Sequence, residues 1–381
     1  MPPSNTAAWL PAKNTYPVKI GPAAYPSPGP GQIVVRNWAV AINPVDWCLQ
    51  LFSGFVLTFL VYPMVPGGDL AGDVVEVGAD VTDFAVGDRI LALGLGMDRA
   101  AVEGKTSAAE GAFQKYTLVR TLLATHIPEW MLYQDACVLP LTLATAAYGL
   151  FHAEFLALDL PTVPPPPPGS KGRVLITGGS TSVGCNAIQL VVQAGYTVVS
   201  TSSPKNFDYV KSLGATAVFD YRSKTLQADL VAALSKDNDT KCLGALAIGD
   251  NAVKLSMKVL SRIPGSRHFV SMAGSVMVPA NVSTTLGRPR FMGFTVWQGV
   301  RMNMTGRSTG VEVKFVDTKD LAQPGNAVRK VFREFLPQAL AQRQYMTAPR
   351  TRVVGHGLDS LQEAMDVRKK GVSAEKIVLT L

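Results

Sequence analysis

The segment VLITGGSTSVGCNAIQL, from Val174 to Leu190, combines residue types that could hold a phosphate group. An apolar run is followed by a turn of glycines and hydroxyl residues, and then by the start of a helical pattern. In dinucleotide-binding turns, three glycines shape the turn, admit the pyrophosphate and let the helix pack against the strand. Here those three positions fall on Gly179, Thr181 and Gly184, so the middle position is not glycine.

Hydroxyl residues stand around the missing middle glycine. Ser180, Thr181 and Ser182 could offer hydrogen bonds to phosphate oxygens, beside the backbone N–H groups at the start of the helix. The pattern therefore predicts a pyrophosphate site made by Gly179, Ser180, Thr181, Ser182 and Val183. A tight strand-to-helix connection without a ligand stays open as the alternative, because the strict glycine pattern is not met.

The adenosine end of such a ligand would meet the segment that follows the next strand. NAD sites place an acidic residue there to accept hydrogen bonds from the ribose hydroxyls. This chain has Ser203 and Lys205 instead, and the first acid is Asp208. A lysine among hydroxyls would attract a 2′-phosphate, and Tyr221 could close the adenine end. The segment predicts NADPH rather than NADH; a loop selected only for its turn chemistry is the alternative.

The elements that must position these residues change in pattern near Arg173. Before it, short β-prone runs lead to a helical stretch that opens near Asp135 and to an exposed proline connector, Pro164–Pro168. After it, strands alternate with helices, which predicts an α/β fold with a doubly wound parallel sheet. Later segments predict strands at 290–297, 351–354 and 377–381 and helices at 326–343 and 358–370.

Composition argues against several other classes of protein. The net charge of +8 is spread among acids without interleaved aromatics, so no nucleic-acid partner is expected. The apolar stretch from Phe55 is cut by Pro63 and Pro66 and is too short to span a membrane. The first residues do not read as a signal peptide. Four dispersed cysteines predict free thiols in a reducing compartment, and hence a cytoplasmic protein.

Taken together, these segments resemble the medium-chain dehydrogenase/reductase family, in particular its zinc-free quinone-reductase-like and fungal trans-acting enoyl reductase branches. The segments that carry the resemblance are AVAINPVDW, PGGDLAGDVVEVGADVTDFAVGDRI, EGAFQKYTLV, VLITGGSTSVG, SSPKNFDYVKSLGA, FDYR and VRKKGVSAEKIVL. It implies a mainly-β, GroES-like catalytic domain at 1–140, a Rossmann NADPH-binding domain at 141–305, and a return to the catalytic domain at 306–381.

The resemblance also implies roles for individual residues. Those expected to contact the cofactor besides the pyrophosphate turn are Asn43, Asp46, Trp47, Thr142, Thr145, Ser203, Lys205, Asn206, Tyr221, Met272, Ser373 and Ala374. The substrate wall would fall on Phe291 and Phe294. Asp46 as a helix cap and the two phenylalanines as strand core are the alternatives. Tyr62, Tyr148 and bulk water stay open as the proton donor.

Zinc-dependent members of this family use a cysteine and a Gly-His-Glu motif as metal ligands. Here the matching stretches read NPVDW and GGDLAG, with Asp46 and Asp69 where ligands might be sought, and the four histidines are isolated. Catalytic zinc needs three converging protein ligands, so no metal is expected. Without a Lewis acid, hydride transfer is easiest to a conjugated acceptor, which implies reduction of a C=C bond in an enone, quinone or enoyl thioester.

Several functions remain possible at this point. The first is an NADPH-dependent reductase of free small molecules. The second is a trans-acting enoyl reductase whose substrate is carried by an acyl carrier protein; it is motivated by the basic residues Arg288, Arg290, Arg301 and Arg307. Carbonyl reduction without metal and a non-catalytic cofactor-binding protein are further alternatives. A serine hydrolase is disfavoured, because GGSTS lacks the closing glycine of a nucleophile elbow.

Overall fold

The computed structural model describes residues 3–381 except 53–57, 237–240, 250, 274–307, 319, 322 and 324. The chain forms two compact units. The first unit is Met1–Leu141 with Lys319–Leu381, and the second unit is Thr142–Thr318.

The strands are given first, in chain order. They are β1 Asn5–Trp9, β2 Lys19–Ala23, β3 Gln32–Ala41, β4 Asp69–Val77, β5 Arg89–Leu93, β6 Tyr116–Arg120, β7 Ala124–His126, β8 Arg173–Ile176, β9 Thr197–Ser202, β10 Ala217–Asp220, β11 Cys242–Ala247, β12 Phe269–Met272, β13 Glu312–Phe315, β14 Arg350–His356 and β15 Glu375–Thr380.

The α-helices follow the same order. They are α1 Pro44–Phe52, α2 Arg99–Glu103, α3 Ser107–Glu110, α4 Tyr133–Ala136, α5 Pro140–Phe151, α6 Ser182–Gln193, α7 Phe207–Ser212, α8 Leu226–Leu234, α9 Ala252–Leu260, α10 Ala327–Lys330, α11 Leu336–Ala341 and α12 Leu361–Lys370. A π-helical segment, Val331–Phe335, joins α10 to α11.

The first unit is built on a seven-stranded sheet. Its strand order is β14-β15-β3-β4-β5-β7, with β6 paired to β3. Strand β3 is the centre of this sheet because most of its apolar side chains are buried and it pairs antiparallel with β4, β6 and β15. The sheet therefore combines strands from both ends of the chain, and β15 brings the last residues beside the strand that precedes α1.

The second unit is built on a six-stranded parallel sheet of order β10-β9-β8-β11-β12-β13. Strand β8 is fully buried, as expected for a parallel sheet covered on both faces. The strand order changes direction at β8, since β9 and β10 lie on one side and β11 on the other. The carboxyl ends of all these strands meet at one edge, which is where the turn between β8 and α6 begins.

One predicted element differs from the structure. The helical stretch that opens near Asp135 is two helices, because α4 ends at Ala136 and α5 begins at Pro140. Proline has no N–H and clashes with the preceding turn of a helix, so it occupies the first position of the second helix. The strand predicted at 290–297 lies outside the described residues, whereas the predicted helices and strands after residue 326 are observed with shifts of a few residues.

A buried carboxylate fastens the segment before β6 to the first sheet. Glu110 is fully buried, and its two oxygens accept hydrogen bonds from Nε and a terminal nitrogen of Arg120, both at 3.0 Å. The Thr106 hydroxyl donates a third bond at 2.6 Å. A buried carboxylate is tolerated only when such partners replace water, so Arg120 is expected to be essential to this arrangement.

Removing the arginine should destabilise the first unit. We expect Arg120→Ala to lower the free energy of unfolding by about 3 kcal/mol, because Glu110 is left buried without a cation. Thermal and urea denaturation of the full chain, followed by fluorescence, measures the change. The matched control is Arg352→Ala, which breaks the exposed 3.3 Å pair with Glu375 and should cost less than about 1 kcal/mol. Equal losses in the two variants would contradict the assignment.

Candidate cofactor-binding and active site

The turn between β8 and α6 lies at the point where the strand order of the second sheet reverses. Open α/β sheets bind their ligands at such a point, outside the carboxyl ends of the strands. Gly178 has a φ of 62°, and its N–H donates to Oγ1 of Thr201 at 3.1 Å. The N–H of Gly179 donates to the carbonyl of Thr201 at 2.8 Å. The tight turn is therefore at Gly178, one residue before the position that the glycine pattern indicates.

Thr181 caps helix α6. Its Oγ1 accepts from the N–H of Gly184 at 3.0 Å and donates to the carbonyl of Gly178 at 2.8 Å. The threonine hydroxyl is therefore used inside the turn. The N–H groups of Ser182 and Val183, in contrast, have no hydrogen-bond acceptor among the described residues. Free N–H groups in the first turn of a helix are the usual donors to a phosphate.

Gly184 and Gly179 are glycines for reasons of space. A Cβ on Gly184 would lie 2.3 Å from the carbonyl oxygen of Gly178, which is backbone and cannot move aside. A Cβ on Gly179 would lie 2.3 Å from Oγ of Ser200. The close packing of α6 on β8 and β9 therefore requires both glycines, whereas Thr181 occupies a position where the helix needs a cap.

The ends of β9 and β10 form a polar corner beside this turn. Oγ of Ser202 donates to Oγ of Ser180 at 3.0 Å, and Nδ2 of Asn206 donates to Oγ of Ser203 at 3.2 Å. Lys205 is exposed on the same short segment. Because Asp220 at the end of β10 pairs in register with Ser202, the half-exposed Tyr221 follows directly beside this segment. The structure thus brings the predicted residues of the adenosine end together.

Helix α5 contributes a second predicted group in the same unit. The Thr142 hydroxyl accepts a hydrogen bond from Nδ2 of Asn186 at 3.1 Å, and the same amide donates to the carbonyl of Ser182 at 2.9 Å. Thr142 is therefore close to the first turn of α6, and Thr145 lies one turn further along α5. Asn186 was not singled out from the sequence, where an asparagine inside an apolar helix pattern gave little indication of this bridge.

Two predicted residues of the first unit, Asn43 and Asp46, belong to a buried polar network. Nζ of Lys376 lies 2.8 Å from Oδ2 of Asp69 and donates to Oδ1 of Asn43 at 2.5 Å. Nδ2 of Asn43 donates to Oδ2 of Asp69 at 2.7 Å, and its backbone N–H donates to Oδ2 of Asp46 at 2.6 Å. Leu141 N–H donates to Oδ1 of Asp69 at 2.6 Å. Lys376 was not among the predicted site residues.

Two buried side-chain atoms of α1 have no hydrogen-bond partner among the described residues. They are Oδ1 of Asp46 and Nε1 of Trp47, both buried. Burial away from water raises the pKa of Asp46 to about 7, and the Asp69 carboxylate acts in the same direction. The N–H of Asn43 and the charges of Lys376 and Arg368 oppose this shift in the pKa of Asp46. Unsatisfied buried polar atoms are rare, which makes this part of α1 a candidate ligand site.

The other predicted residues are placed as follows. Met272 ends β12, and Ser373 and Ala374 precede β15, where Ala374 has a φ of 55°. Tyr148 is fully buried in α5 and stacks on His152 with ring centroids 4.5 Å apart. Tyr62 is half-buried in the first unit. Phe291, Phe294, Arg288, Arg290, Arg301 and Arg307 lie outside the described residues.

Metal ligands are not clustered in the described part of the chain: no group of three His, Cys, Asp or Glu side chains there could hold an ion. Instead, Asp69 accepts bonds from an ammonium, an amide and a backbone N–H. All four cysteines are buried free thiols. Burial raises the pKa of Cys48 to about 12 and that of Cys242 to about 11, so both are unreactive thiols near neutral pH.

Comparison with known proteins gives the family. A model described as "Alcohol dehydrogenase GroES-like domain" matches residues 29–129. Dehydrogenase pigH of Monascus ruber is 43% identical over 379 residues, which is 100% of both chains. Trans-enoyl reductase himH of Aspergillus japonicus is 35% identical over 378 residues, covering 99% of this chain and 97% of that protein. An alcohol dehydrogenase superfamily protein from Novosphingobium aromaticivorans has the same fold, with a TM-score of 0.71 at 23% identity over 99% of each chain.

The fold and these similarities define the class of protein. A GroES-like domain accompanies a parallel α/β sheet of Rossmann type, which confirms the predicted fold class. The chain belongs to the medium-chain dehydrogenase/reductase family and is an oxidoreductase of that family. Among the described residues, no helix is both long and apolar enough to cross a membrane.

The raised pKa of Asp46 predicts a pH dependence of stability. The folded protein holds this proton up to a pH of about 7, whereas the unfolded chain releases it near the ordinary aspartate pKa of 3.8. A raised acid pKa therefore gives stability at low pH that is lost as the pH rises through the folded value. Asp46→Asn keeps an acceptor for the Asn43 N–H but cannot titrate.

We expect the free energy of unfolding to fall between about pH 5 and about pH 8 by about 2–3 kcal/mol less in Asp46→Asn than in the unmodified protein. Urea denaturation at a series of pH values, with the two proteins measured side by side, gives this difference directly. Parallel curves for the two proteins would show that Asp46 is ionised across the whole range, and would refute the prediction.

Proposed function

We propose that this protein is an NADPH-dependent reductase of activated C=C bonds, found in an enone, a quinone or an enoyl thioester, and that it works without a metal. The observation that carries the cofactor assignment is the polar corner after β9 and β10. Ser203, Lys205 and Tyr221 are grouped there, and no carboxylate follows β9 before Asp208. A 2′-phosphate would be attracted by the lysine and bound by the hydroxyls.

The residues present fit a nicotinamide dinucleotide. The turn at Gly178 and the N–H groups of Ser182 and Val183 would bind the pyrophosphate, because a helix N-terminus favours an anion. Ser203, Lys205, Asn206 and Tyr221 would hold the phosphorylated ribose. The buried atoms without partners, Oδ1 of Asp46 and Nε1 of Trp47, support the assignment of α1 to the nicotinamide side. The further proposed contacts are Asn43, Thr142, Thr145, Gly179, Ser180, Thr181, Met272, Ser373 and Ala374.

The proposed chemistry follows from the donor set. When bound, the reduced nicotinamide supplies a hydride. The oxygens of Asp69 already accept from Lys376, Asn43 and the Leu141 N–H, so they are poorly placed to ligate zinc. A substrate polarised by its own conjugation suits such a site, because the negative charge that develops on hydride transfer is then spread over carbon and oxygen. This chain would contribute orientation, a dry environment around Asn43, and a proton that Asp46 can hold at neutral pH.

A second candidate function has its own support. The relative himH is named a trans-enoyl reductase, and it matches nearly the whole chain. The substrate would then be an enoyl thioester tethered to an acyl carrier protein of a polyketide synthase, rather than a free small molecule. The two candidate functions predict different reduction rates for tethered and free thioesters. A strong preference for the tethered form, weakened by salt, would favour the carrier-bound substrate. The buried, unoxidised thiols fit a cytoplasmic reaction.

The polar corner predicts a loss of cofactor selectivity on mutation. We expect Lys205→Ala to weaken NADPH binding by about tenfold or more and to leave NADH binding nearly unchanged, because a charge-assisted bond to phosphate is lost. Calorimetry of both cofactors measures this. The control is Lys211→Ala, which removes an exposed lysine from the following helix, α7, and should change neither. Equal affinity of the unmodified protein for NADH and NADPH would exclude the assignment.

The reaction class predicts which bond is reduced. With NADPH and a panel of enones and enoyl thioesters, we expect a saturated product that keeps its carbonyl group and carries the transferred hydride at the β-carbon, and with quinones we expect the hydroquinone. Deuterated NADPH followed by mass spectrometry and NMR of the product tests this, and elemental analysis tests for zinc. An allylic alcohol as product, or turnover that requires stoichiometric zinc, would contradict the proposal. NADPH binding without any reduction across the panel would favour a non-catalytic binding protein.

A further inference from the structure

Lys376 is an unusual residue for the interior of a sheet. It lies on β15 between Glu375 and Ile377, and only 2% of its surface is exposed. Lysine is almost never fully buried unless its ammonium is paired, because removing the charge from water is costly. Here the pairing partner is Asp69, which is itself fully buried. Both charges are thus hidden from solvent and hold each other in place.

Asp69 cannot turn away from this pair. Oδ2 receives the Lys376 ammonium and Nδ2 of Asn43, and Oδ1 accepts from the backbone N–H of Leu141 in the first turn of α5. A carboxylate at a helix N-terminus is also favoured by the helix dipole. Three segments of the first unit therefore converge on one carboxylate, and its position is fixed from all three.

The ion pair also decides which way the Asn43 carboxamide points. An amide group can be flipped so that its oxygen and nitrogen exchange places, and only its partners select one orientation. Lys376 offers only donors, so it faces Oδ1 of Asn43, and Asp69 offers only acceptors, so it faces Nδ2. The bonds among the described residues use one of the two N–H groups of Nδ2. The other N–H is left with a fixed direction.

We propose that Asp69 and Lys376 form a positioning pair that holds the Asn43 carboxamide in a single orientation for the hydride-transfer reaction. The inference rests on the proposed function, in which Asn43 is on the nicotinamide side. Neither member of the pair is proposed as a catalytic residue, because both are buried and would act through their hydrogen bonds to Asn43. A small displacement of a group that positions the reacting atoms costs rate more than it costs cofactor binding.

The test uses a double variant of the full-length protein. The single variant Lys376→Met is not sufficient, because it leaves a buried carboxylate without its cation and could fail to fold. The double variant Asp69→Asn with Lys376→Met removes both charges, keeps an acceptor for the Leu141 N–H, and lets the Asn43 amide adopt either orientation. The matched control is Arg352→Met with Glu375→Gln, a double variant of the exposed ion pair on β14 and β15.

We expect the Asp69–Lys376 double variant to bind NADPH with a Kd within about twofold of the unmodified protein, while kcat falls by about tenfold to a hundredfold. The control should change neither quantity. In an Asn43→Ala background, the double variant should cause no further loss of kcat, because the pair has nothing left to position. An unchanged kcat would overturn the proposal, and so would a loss of kcat that multiplies with that of Asn43→Ala.

A measurement without turnover separates this inference from the proposed function. In the cofactor-free protein, the side-chain amide signals of Asn43, assigned by their loss in Asn43→Ala, should exchange slowly with solvent and should broaden or exchange faster in the double variant. Unchanged signals would overturn the positioning role even if the enzyme reduces C=C bonds. Conversely, altered signals with no C=C reduction by the unmodified protein would refute the proposed function alone.

Discussion

The first unit depends on the satisfaction of one buried carboxylate. Asp69 begins β4, a strand paired between β3 and β5, so its backbone is fixed by the sheet. A charge in that position is stable only if every lone pair finds a donor. The chain meets this demand with an ammonium from β15, an amide from the residue before α1, and the first turn of α5. The contacts that satisfy Asp69 therefore also link segments from both ends of the chain within the first unit.

In the second unit, the corresponding feature is a set of backbone N–H donors at the start of a buried helix. Thr181 stands where dinucleotide-binding turns have their middle glycine, and it has a different role. Its hydroxyl closes the first turn of α6, as a good helix cap does. The turn keeps glycine only at Gly178, Gly179 and Gly184, where conformation or space leaves no alternative. In the proposed function, the backbone N–H groups of this turn and the serines around them would bind the phosphate.

Local patterns in the sequence were sufficient for much of the fold. The alternation of strands and helices after Arg173 predicted the parallel sheet, since each period of hydrophobic residues matches one element. The helical stretch from Asp135 was wrong as a single element, because the apolar pattern continues across Pro140 while the backbone cannot. The residues at the ends of β9 and β10 could be grouped in advance, because parallel strands end at one edge.

Lys376 could not be predicted in the same way. A single lysine near the start of a strand is usually an exposed residue, and its partners Asn43 and Asp69 lie more than three hundred residues away in the sequence. The pairing of β3 with both β15 and β4 brings them together. Asn186 was missed for a related reason, since its bridge between Thr142 and Ser182 depends on how α5 packs on α6. Long-range polar contacts leave no periodic trace in the sequence.

The presence of an ammonium beside Asp69 also bears on the kind of substrate that the proposed reaction can use. A divalent metal withdraws electrons from a substrate oxygen because it has empty coordination positions. An ammonium has none, and Lys376 already directs its bonds to Asp69 and Asn43. Its charge orients neighbouring groups but does not activate an unconjugated carbonyl. A site organised in this way suits acceptors that are polarised before they arrive, and an enone, a quinone or an enoyl thioester meets that condition through its own conjugation.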